Sequence, residues 1–345
     1  MDPFYQNVWK AAYQEATPIS GSFELTPRCN FNCCMCYVHL KENQILKYGE
    51  ELTAKQWIQI AEEARKEGTI WLTVTGGEPL LHPEFEIIWK ELCNMGFFIT
   101  LQTNAFLAAD ERYLELFERY PPRSSKITLY GATDETYERV CGIKNGFSTV
   151  SKGIQNLRKI KVPIQLVSTI IKQNQKDVEP ITKFALQNKI PVIFNSNIKK
   201  SIRIKAKDIS KIKMDNSIEE NTSKIQNQWL EKYSMDLEKK PCMYCRDYRI
   251  GYWITWNGNM QFCSFMNDPK ISMKHLSFKT AWRNLVEYEE ALDWPDECKK
   301  CEIASKCFKC AGLLATECGS PMHVTEEFCN EVKKRRKGFY RNAGF

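Results

Sequence analysis

Histidine is scarce in this chain of 345 residues. The four that occur are His39, His82, His275 and His323, and no two stand four residues apart, the spacing that places two ligands on one helix face. Metal chemistry here must therefore rest on sulfur. Long apolar runs are also lacking, since no stretch approaches the roughly 18 residues of a transmembrane helix. The N-terminus shows no charged-then-apolar leader, so we expect a protein of the reducing cytoplasm.

The composition is that of a globular protein, with 43% hydrophobic and 12% aromatic residues. The length allows two domains. The formal net charge of +7 would suit an acidic peptide or a nucleic acid, and it is equally typical of a solubilising surface. The fifteen cysteines are an odd number in a chain far too long for a disulfide scaffold, so we expect metal ligands among them.

Three cysteines, Cys29, Cys33 and Cys36, follow a short predicted strand at 22–26 and would place three thiolates on one loop. A 4Fe–4S cluster normally takes four cysteines, so three of them would leave one iron open to a small molecule. Zinc is the alternative, although its sites usually use four ligands in separated pairs and this loop has no local fourth partner. A ligand set that includes Cys34 is a second alternative.

Helices and strands alternate after this loop. The helix predicted at 52–68 opens with a capping box of Thr53 and Gln56. The next strand ends in Gly76-Gly77-Glu78-Pro79, where two glycines would let a ligand approach the backbone, although a tight turn uses the same residues. The six strands are predicted at 22–26, 69–75, 97–103, 126–130, 163–171 and 190–195. This pattern predicts an α/β fold, a partial (β/α)6 TIM-type barrel with its chemistry at the carboxyl ends of the strands.

The cysteine loop and the glycine motif about 40 residues after it resemble the radical S-adenosylmethionine (SAM) superfamily. The resemblance implies that Cys29, Cys33 and Cys36 hold a SAM-binding 4Fe–4S cluster. It also implies cofactor-binding residues at the strand ends, namely Gly76, Gly77, Glu78, Pro79, Asn104, Thr128, Ser168 and Thr169. The hydroxyls of Thr128, Ser168 and Thr169 fit ordinary barrel positions equally well. Cys141 is a candidate catalytic hydrogen-atom donor, with a buried inert thiol as the alternative.

The last third of the chain is rich in cysteine and contains a predicted hairpin at 252–262, which turns at Asn257-Gly258. Its spacings resemble the SPASM extension of radical SAM enzymes, a small α+β domain that holds two auxiliary 4Fe–4S clusters. The resemblance assigns Cys242, Cys245, Cys263 and Cys310 to the first cluster and Cys298, Cys301, Cys307 and Cys329 to the second. The gap before Cys310 is shorter than usual, so Cys318 is a substitute. Taken alone, the Cys-x2-Cys pairs would fit zinc ribbons.

These assignments divide the chain into five segments. They are an N-terminal segment at 1–20, the barrel at 21–200, a basic and helical bridge at 201–240, the SPASM domain at 241–335 and a basic tail at 336–345. The basic run at 201–207 alternates like a strand. It would suit an edge strand whose charges prevent aggregation, or a strand that binds an acidic peptide.

The resemblance implies an enzyme that cleaves SAM to a 5′-deoxyadenosyl radical and removes hydrogen from a peptide. The leading reaction is an intramolecular thioether or carbon–carbon crosslink in a ribosomally made precursor peptide. Sulfatase-type maturation, peptide epimerisation and small-molecule oxidation are alternatives; Ser264 stands where the sulfatase-maturing branch carries an aspartate.

Implied partners are the precursor peptide, a separate peptide-recognition protein and an electron donor such as flavodoxin or ferredoxin. We expect neither a membrane nor a nucleic acid as partner. The alternative from another class is a zinc-stabilised nucleic-acid-binding protein, which would use the basic run and the tail against phosphates.

Overall fold

The computed structural model describes residues 3–196, 198–200, 209–213, 236, 238–307 and 309–333. The predicted basic strand at 201–207, most of the bridge at 201–240 and the predicted tail at 336–345 lie outside these residues. None of the helices in the described ranges is both long and apolar enough to span a membrane.

One sheet of nine strands organises the described residues. The strands are β1 Ser20–Glu24, β2 Trp71–Thr75, β3 Phe98–Thr103, β4 Ser124–Thr128, β5 Ile164–Thr169, β6 Val192–Asn195, β7 Gly251–Ile254, β8 Asn259–Gln261 and β9 Ile271–Ser272. Strands β1 to β6 are parallel and lie in chain order from the middle of the sheet to one edge. The predicted six-stranded parallel partial barrel is confirmed.

The cysteine-rich third joins this sheet directly. β7 pairs in parallel with β1, on the side opposite β2, and Ser22 lies beside Trp253. β8 and β9 continue the sheet as antiparallel strands. The predicted hairpin turn holds Gly258 at a φ of 83°, a conformation that favours glycine. Main-chain hydrogen bonds thus tie the C-terminal third to the first strand of the barrel.

Helices precede and connect the strands. Their bounds are α1 Pro3–Glu15, α2 Glu42–Tyr48, α3 Ala54–Lys66, α4 Phe85–Asn94, α5 Glu111–Arg119, α6 Asp134–Cys141, α7 Gly146–Lys159, α8 Val178–Asn188, α9 Phe278–Ala291, α10 Asp296–Lys299 and α11 Ala311–Cys318. Residues 326–333 are also helical. The predicted capping box is present, since the Thr53 hydroxyl accepts from the Gln56 N–H and the Gln56 side chain accepts from the Thr53 N–H.

The two faces of the parallel strands differ in chemistry. Phe23 of β1 packs on Trp57 of α3 with 5.0 Å between ring centroids, so this face of the sheet meets the helices. Apolar residues continue along it, namely Leu72, Val74, Ile99, Leu101, Ile127 and Leu166. Because side chains alternate along a strand, the other face carries Ser22, Glu24, Thr73, Thr75, Thr100 and Gln102, with Trp71 and Phe98 at the amino ends of β2 and β3 and Val167 and Ile193 on β5 and β6. A closed barrel fills its interior with branched apolar residues, so this polar inner face suits a polar ligand.

Candidate functional site

The cysteine loop at 29–36 follows the carboxyl end of β1 and is held to the glycine motif by main chain. The Gly77 N–H donates to the Thr26 carbonyl over 2.7 Å, and the Glu78 N–H donates to the Arg28 carbonyl over 2.7 Å. A methyl group on Gly77 would come within 2.3 Å of the Arg28 carbonyl oxygen. Glycine is therefore needed here for the close approach of the two motifs.

Glu78 fixes the ends of β2 and β3 relative to each other. Its fully buried carboxylate accepts from the Thr103 hydroxyl over 2.8 Å, from the Asn104 N–H over 2.8 Å and from the Leu80 N–H over 3.3 Å. Burial raises the pKa of Glu78 to about 7, and these hydrogen bonds oppose the rise. Pro79 then opens a short 3-10 turn at Pro79–Leu81.

Asn104 extends this network into the cysteine loop. Its Nδ2 donates to Asn30 Oδ1 over 2.8 Å and lies 3.9 Å from the Cys29 sulfur. Its Oδ1 accepts from the Phe106 N–H over 2.9 Å. The Nδ2 of Asn30 is buried and has no hydrogen-bond partner among the described residues. The predicted residue at the end of β3 therefore orients the loop that carries the three thiols.

The end of α6 supports the loop from the other side. The Cys141 carbonyl accepts from the Asn32 N–H over 2.8 Å, and the Val140 carbonyl accepts from the Cys34 N–H over 3.0 Å. The last carbonyls of a helix have no partner within it, so the loop satisfies two of them. The Cys141 side chain is fully buried. Its role as a hydrogen-atom donor stays a prediction.

The three predicted thiols influence one another electrostatically. Burial raises the pKa of the Cys29 thiol, and Glu78, Cys33 and Cys36 raise it further, against an N–H donated by Phe31 over 3.4 Å. Such thiols ionise when a cation binds them. No group of three or more His, Cys, Asp or Glu side chains in the described residues has the geometry to hold a single metal ion. In a 4Fe–4S cube each thiolate binds a different iron, and the donor set fits that group.

The three predicted strand hydroxyls divide between the two faces of the sheet. Thr128 pairs with Val167, and Thr169 alternates with Val167, so both threonines lie on the polar inner face. Ser168 lies with Leu166 on the face that meets the helices. It is fully buried, and its Oγ has no hydrogen-bond partner among the described residues.

Four C-terminal thiols gather around Cys242. We name them the first thiol set: Cys242, Cys245, Cys263 and Cys310. Burial raises the pKa of the Cys242 thiol, followed by Glu289 and then by the other three thiols. Burial raises the pKa of Cys310, and the Leu313 N–H, the Lys199 ammonium and the Gly312 N–H oppose the rise. A methyl group on Gly312 would lie 3.3 Å from the Cys263 sulfur, so a glycine leaves room beside this set.

Four other thiols gather around Cys298. This second thiol set comprises Cys298, Cys301, Cys307 and Cys329. Burial raises the pKa of Cys298 to about 11; Lys309 opposes the rise, and the other three thiols add to it. Burial raises the pKa of Cys329, and Cys301 and Cys318 add to the rise. The Cys318 sulfur lies 3.7 Å from the Thr325 hydroxyl. The proposed substitute for Cys310 is therefore a neighbour of the second set.

Two residues in these surroundings escaped the sequence analysis. Glu24 lies fully buried on the inner face and accepts from the Trp253 indole over 2.9 Å. The alternation of the predicted strand placed Glu24 on the same face as Ser22, which was the available signal. Lys309 is 1% exposed beside the second set, and its position between two predicted ligands was the only hint in the sequence.

Comparison with known proteins identifies the N-terminal part. The radical SAM superfamily matches residues 23–185, the segment that carries the cysteine loop, the glycine motif and β1 to β5. The chain carries a radical SAM domain. SkfB, a sporulation killing factor maturation protein of Bacillus subtilis, is 28% identical over 166 residues, which cover 48% of this chain and 39% of that protein.

One further relative and one solved structure are also similar to this chain. The AdoMet-dependent heme synthase of Methanosarcina barkeri is 32% identical over 162 residues, which cover 47% of this chain and 44% of that protein. The chain thus spans half or less of the length of the curated relatives it matches first. The crystal structure of Streptococcus suis SuiB bound to precursor peptide SuiA has a TM-score of 0.67 at 18% identity, with 95% of this chain and 81% of that chain covered. This likeness extends the shared fold beyond the radical SAM domain.

Proposed function

We propose that this chain is a radical SAM enzyme that modifies a peptide, with an intramolecular thioether or carbon–carbon crosslink in a ribosomally made precursor as the reaction. The observation that carries the proposal is the presence of three separate thiol sets, one at the carboxyl edge of the barrel and two in the C-terminal third. SkfB, which is similar over the radical SAM domain, is named as a maturation protein of a sporulation killing factor. SuiB, which shares the fold, was solved with a bound precursor peptide.

Three 4Fe–4S clusters and SAM are the cofactors of this proposal. Cys29, Cys33 and Cys36 would hold the SAM-binding cluster, and the first and second thiol sets would hold the auxiliary clusters. When bound, the cluster and SAM supply a 5′-deoxyadenosyl radical that removes a hydrogen atom from the substrate. Asn104 and Glu78 orient the cysteine loop, and the polar inner face, with Thr128 and Thr169 at its upper edge, receives SAM and the substrate.

Removal of hydrogen from a peptide needs positioning more than acid–base chemistry at the reacting carbon. The inner face presents hydroxyl and amide groups that hydrogen-bond peptide main chain, which suits a peptide substrate. A separate peptide-recognition protein and a flavodoxin or ferredoxin are further partners of the proposal, and the cytoplasm is the compartment it requires.

A second candidate function is the oxidation of a small molecule, which the heme synthase relative favours. The polar inner face would accept such a substrate equally well. Incubation with candidate peptides separates the two proposals, because a small-molecule oxidase leaves every peptide unchanged.

Metal content tests the cofactor assignment. Anaerobically reconstituted protein should be brown and hold about twelve irons per chain, three clusters of four. The Cys36→Ala variant should lose about four irons and SAM cleavage, while the matched Cys34→Ala variant in the same loop keeps both. A colourless protein with stoichiometric zinc would refute the enzyme proposal.

Product mass tests the reaction. The reconstituted protein is incubated anaerobically with SAM, a reductant and peptides encoded by neighbouring reading frames. Loss of two hydrogens from a peptide in wild type, absent in Cys36→Ala, means a crosslink or an oxidation of the peptide. Deuterium uptake from solvent without that loss means epimerisation, and unchanged peptides in every reaction contradict the peptide proposal.

A further inference from the structure

Lys309 is a buried cation without an acidic partner. Its side chain is 1% exposed, and its ammonium donates to the Ala304 carbonyl over 3.2 Å. The ammonium also lies 4.9 Å from the centre of the Trp294 ring. No carboxylate forms an ion pair with it among the described residues. Lysine is almost never fully buried unless it is paired, so this position calls for an anion.

The available anion is the second thiol set. Ala304, which holds the ammonium, lies between Cys301 and Cys307 in the chain. Trp294, under the ammonium, packs in one small core with Cys298 and Cys329. Lys309 acts electrostatically on both of these thiols, and Lys333 also acts on Cys329. Ammonium and thiols therefore share one desolvated space.

Charged groups act on the first set as well, Glu289 on Cys242 and Lys199 on Cys310. Lys309 directly precedes Cys310 of the first set in the chain, but its ammonium donates to Ala304, which lies between two thiols of the second set.

We propose that Lys309 is the counterion of the cluster held by the second thiol set and raises the reduction potential of that cluster. This inference rests on the proposed function for the presence of a cluster there. One-electron reduction adds one negative charge to a cluster that four thiolates already make anionic. A fixed, desolvated ammonium nearby favours the reduced state, since net charge and solvent exposure set cluster potentials.

Two substitutions separate charge from packing. Lys309→Met keeps a long unbranched side chain without the charge, and Lys309→Arg keeps the charge. Lys306→Met removes an exposed lysine of the same segment and is the matched control. Reconstituted proteins are titrated anaerobically, with the reduced clusters followed by electron paramagnetic resonance.

The expected result is a shift of one midpoint to lower potential in Lys309→Met, with the other two midpoints unchanged. Lys309→Arg and Lys306→Met should match wild type. Loss of four irons from the Met variant but not from the Arg variant also supports the proposal. Unchanged midpoints in Lys309→Met overturn it, as does an equal loss of iron from the Met and Arg variants, which would mean a packing role.

The iron content of wild type is measured first. If wild type holds about twelve irons and the midpoints are unchanged in Lys309→Met, this inference alone is refuted. If wild type holds no iron, the proposed function is refuted.

Discussion

The indole N–H of Trp253 donates to the carboxylate of Glu24 over 2.9 Å, across the junction of β7 with β1. The two residues are 229 positions apart in the chain. Glu24 is fully buried on the inner face, directly before the cysteine loop. One hydrogen bond thus couples the C-terminal hairpin to the strand from which the site emerges.

Trp253→Phe should lower the free energy of unfolding by about 1–3 kcal/mol, because it leaves a buried acceptor with one donor fewer. Urea denaturation of the apoprotein measures the change. Trp71→Phe is the control, since it removes the same ring atoms from a half-buried indole for which the described residues provide no hydrogen bond. Equal losses in the two variants would show that the Glu24 bond contributes nothing.

The alternation of strands and helices was predictable because each element carries a local signal. α3 has its capping box, and the turn of the hairpin has Asn257-Gly258. Strand β4 was predicted at 126–130, from its apolar residues, but runs Ser124–Thr128, because pairing with β3 and β5 sets its bounds. Helices α1 and α2 and the parallel pairing of β7 with β1 were not predicted. They depend on contacts between distant segments, which no local pattern encodes.

The cysteine sites show a similar division. The spacing of the cysteines in the sequence predicted the candidate ligands, and the structure brings their thiols together in groups. The inner or outer position of Ser168 depends on strand register, and a one-residue error reverses it. The buried charge of Lys309 could not be predicted because its burial arises from the loop around Ala304.

Glu78 should make the stability of the apoprotein fall as pH rises. Its pKa is about 7 in the folded chain and 4.5 ordinarily, so the folded state binds the proton more tightly. The stabilisation is complete below pH 4.5 and is lost as pH rises to 7, a change of about 3 kcal/mol. Urea midpoints between pH 4.5 and 7 should show this slope in wild type.

Glu78→Gln should flatten that slope, because the amide does not titrate. Burial also raises the pKa of Glu289, to about 8. Glu289 therefore still makes the stability of the variant fall somewhat as pH rises. Identical pH profiles for the two proteins would contradict the assignment to Glu78.

Gly77→Ala should detach the glycine motif from the cysteine loop. The added methyl would meet the Arg28 carbonyl oxygen, a backbone atom that cannot rotate away. Overpacking of this kind costs about 1–3 kcal/mol, and we expect a loss of about four irons, one cluster. Gly312→Ala is the matched variant, because its methyl would crowd the Cys263 sulfur instead. Gly312→Ala should lower the iron content of the first thiol set and leave SAM cleavage intact. Loss of SAM cleavage in both variants would contradict separate roles for the two glycines.

Removal of iron should loosen the C-terminal third and spare the barrel. The core beside the second thiol set contains only four buried residues among those described, Trp294, Cys298, Leu314 and Val324. So small a core contributes little stability by itself, and a bound cluster would supply much of the folding free energy there. After chelation, amides of α11 should exchange with deuterium far faster than in the loaded protein. Amides of β2 and β3, inside the large apolar core, should keep their protection. Equal loss of protection in α11 and β3 would mean that the two parts unfold as one unit.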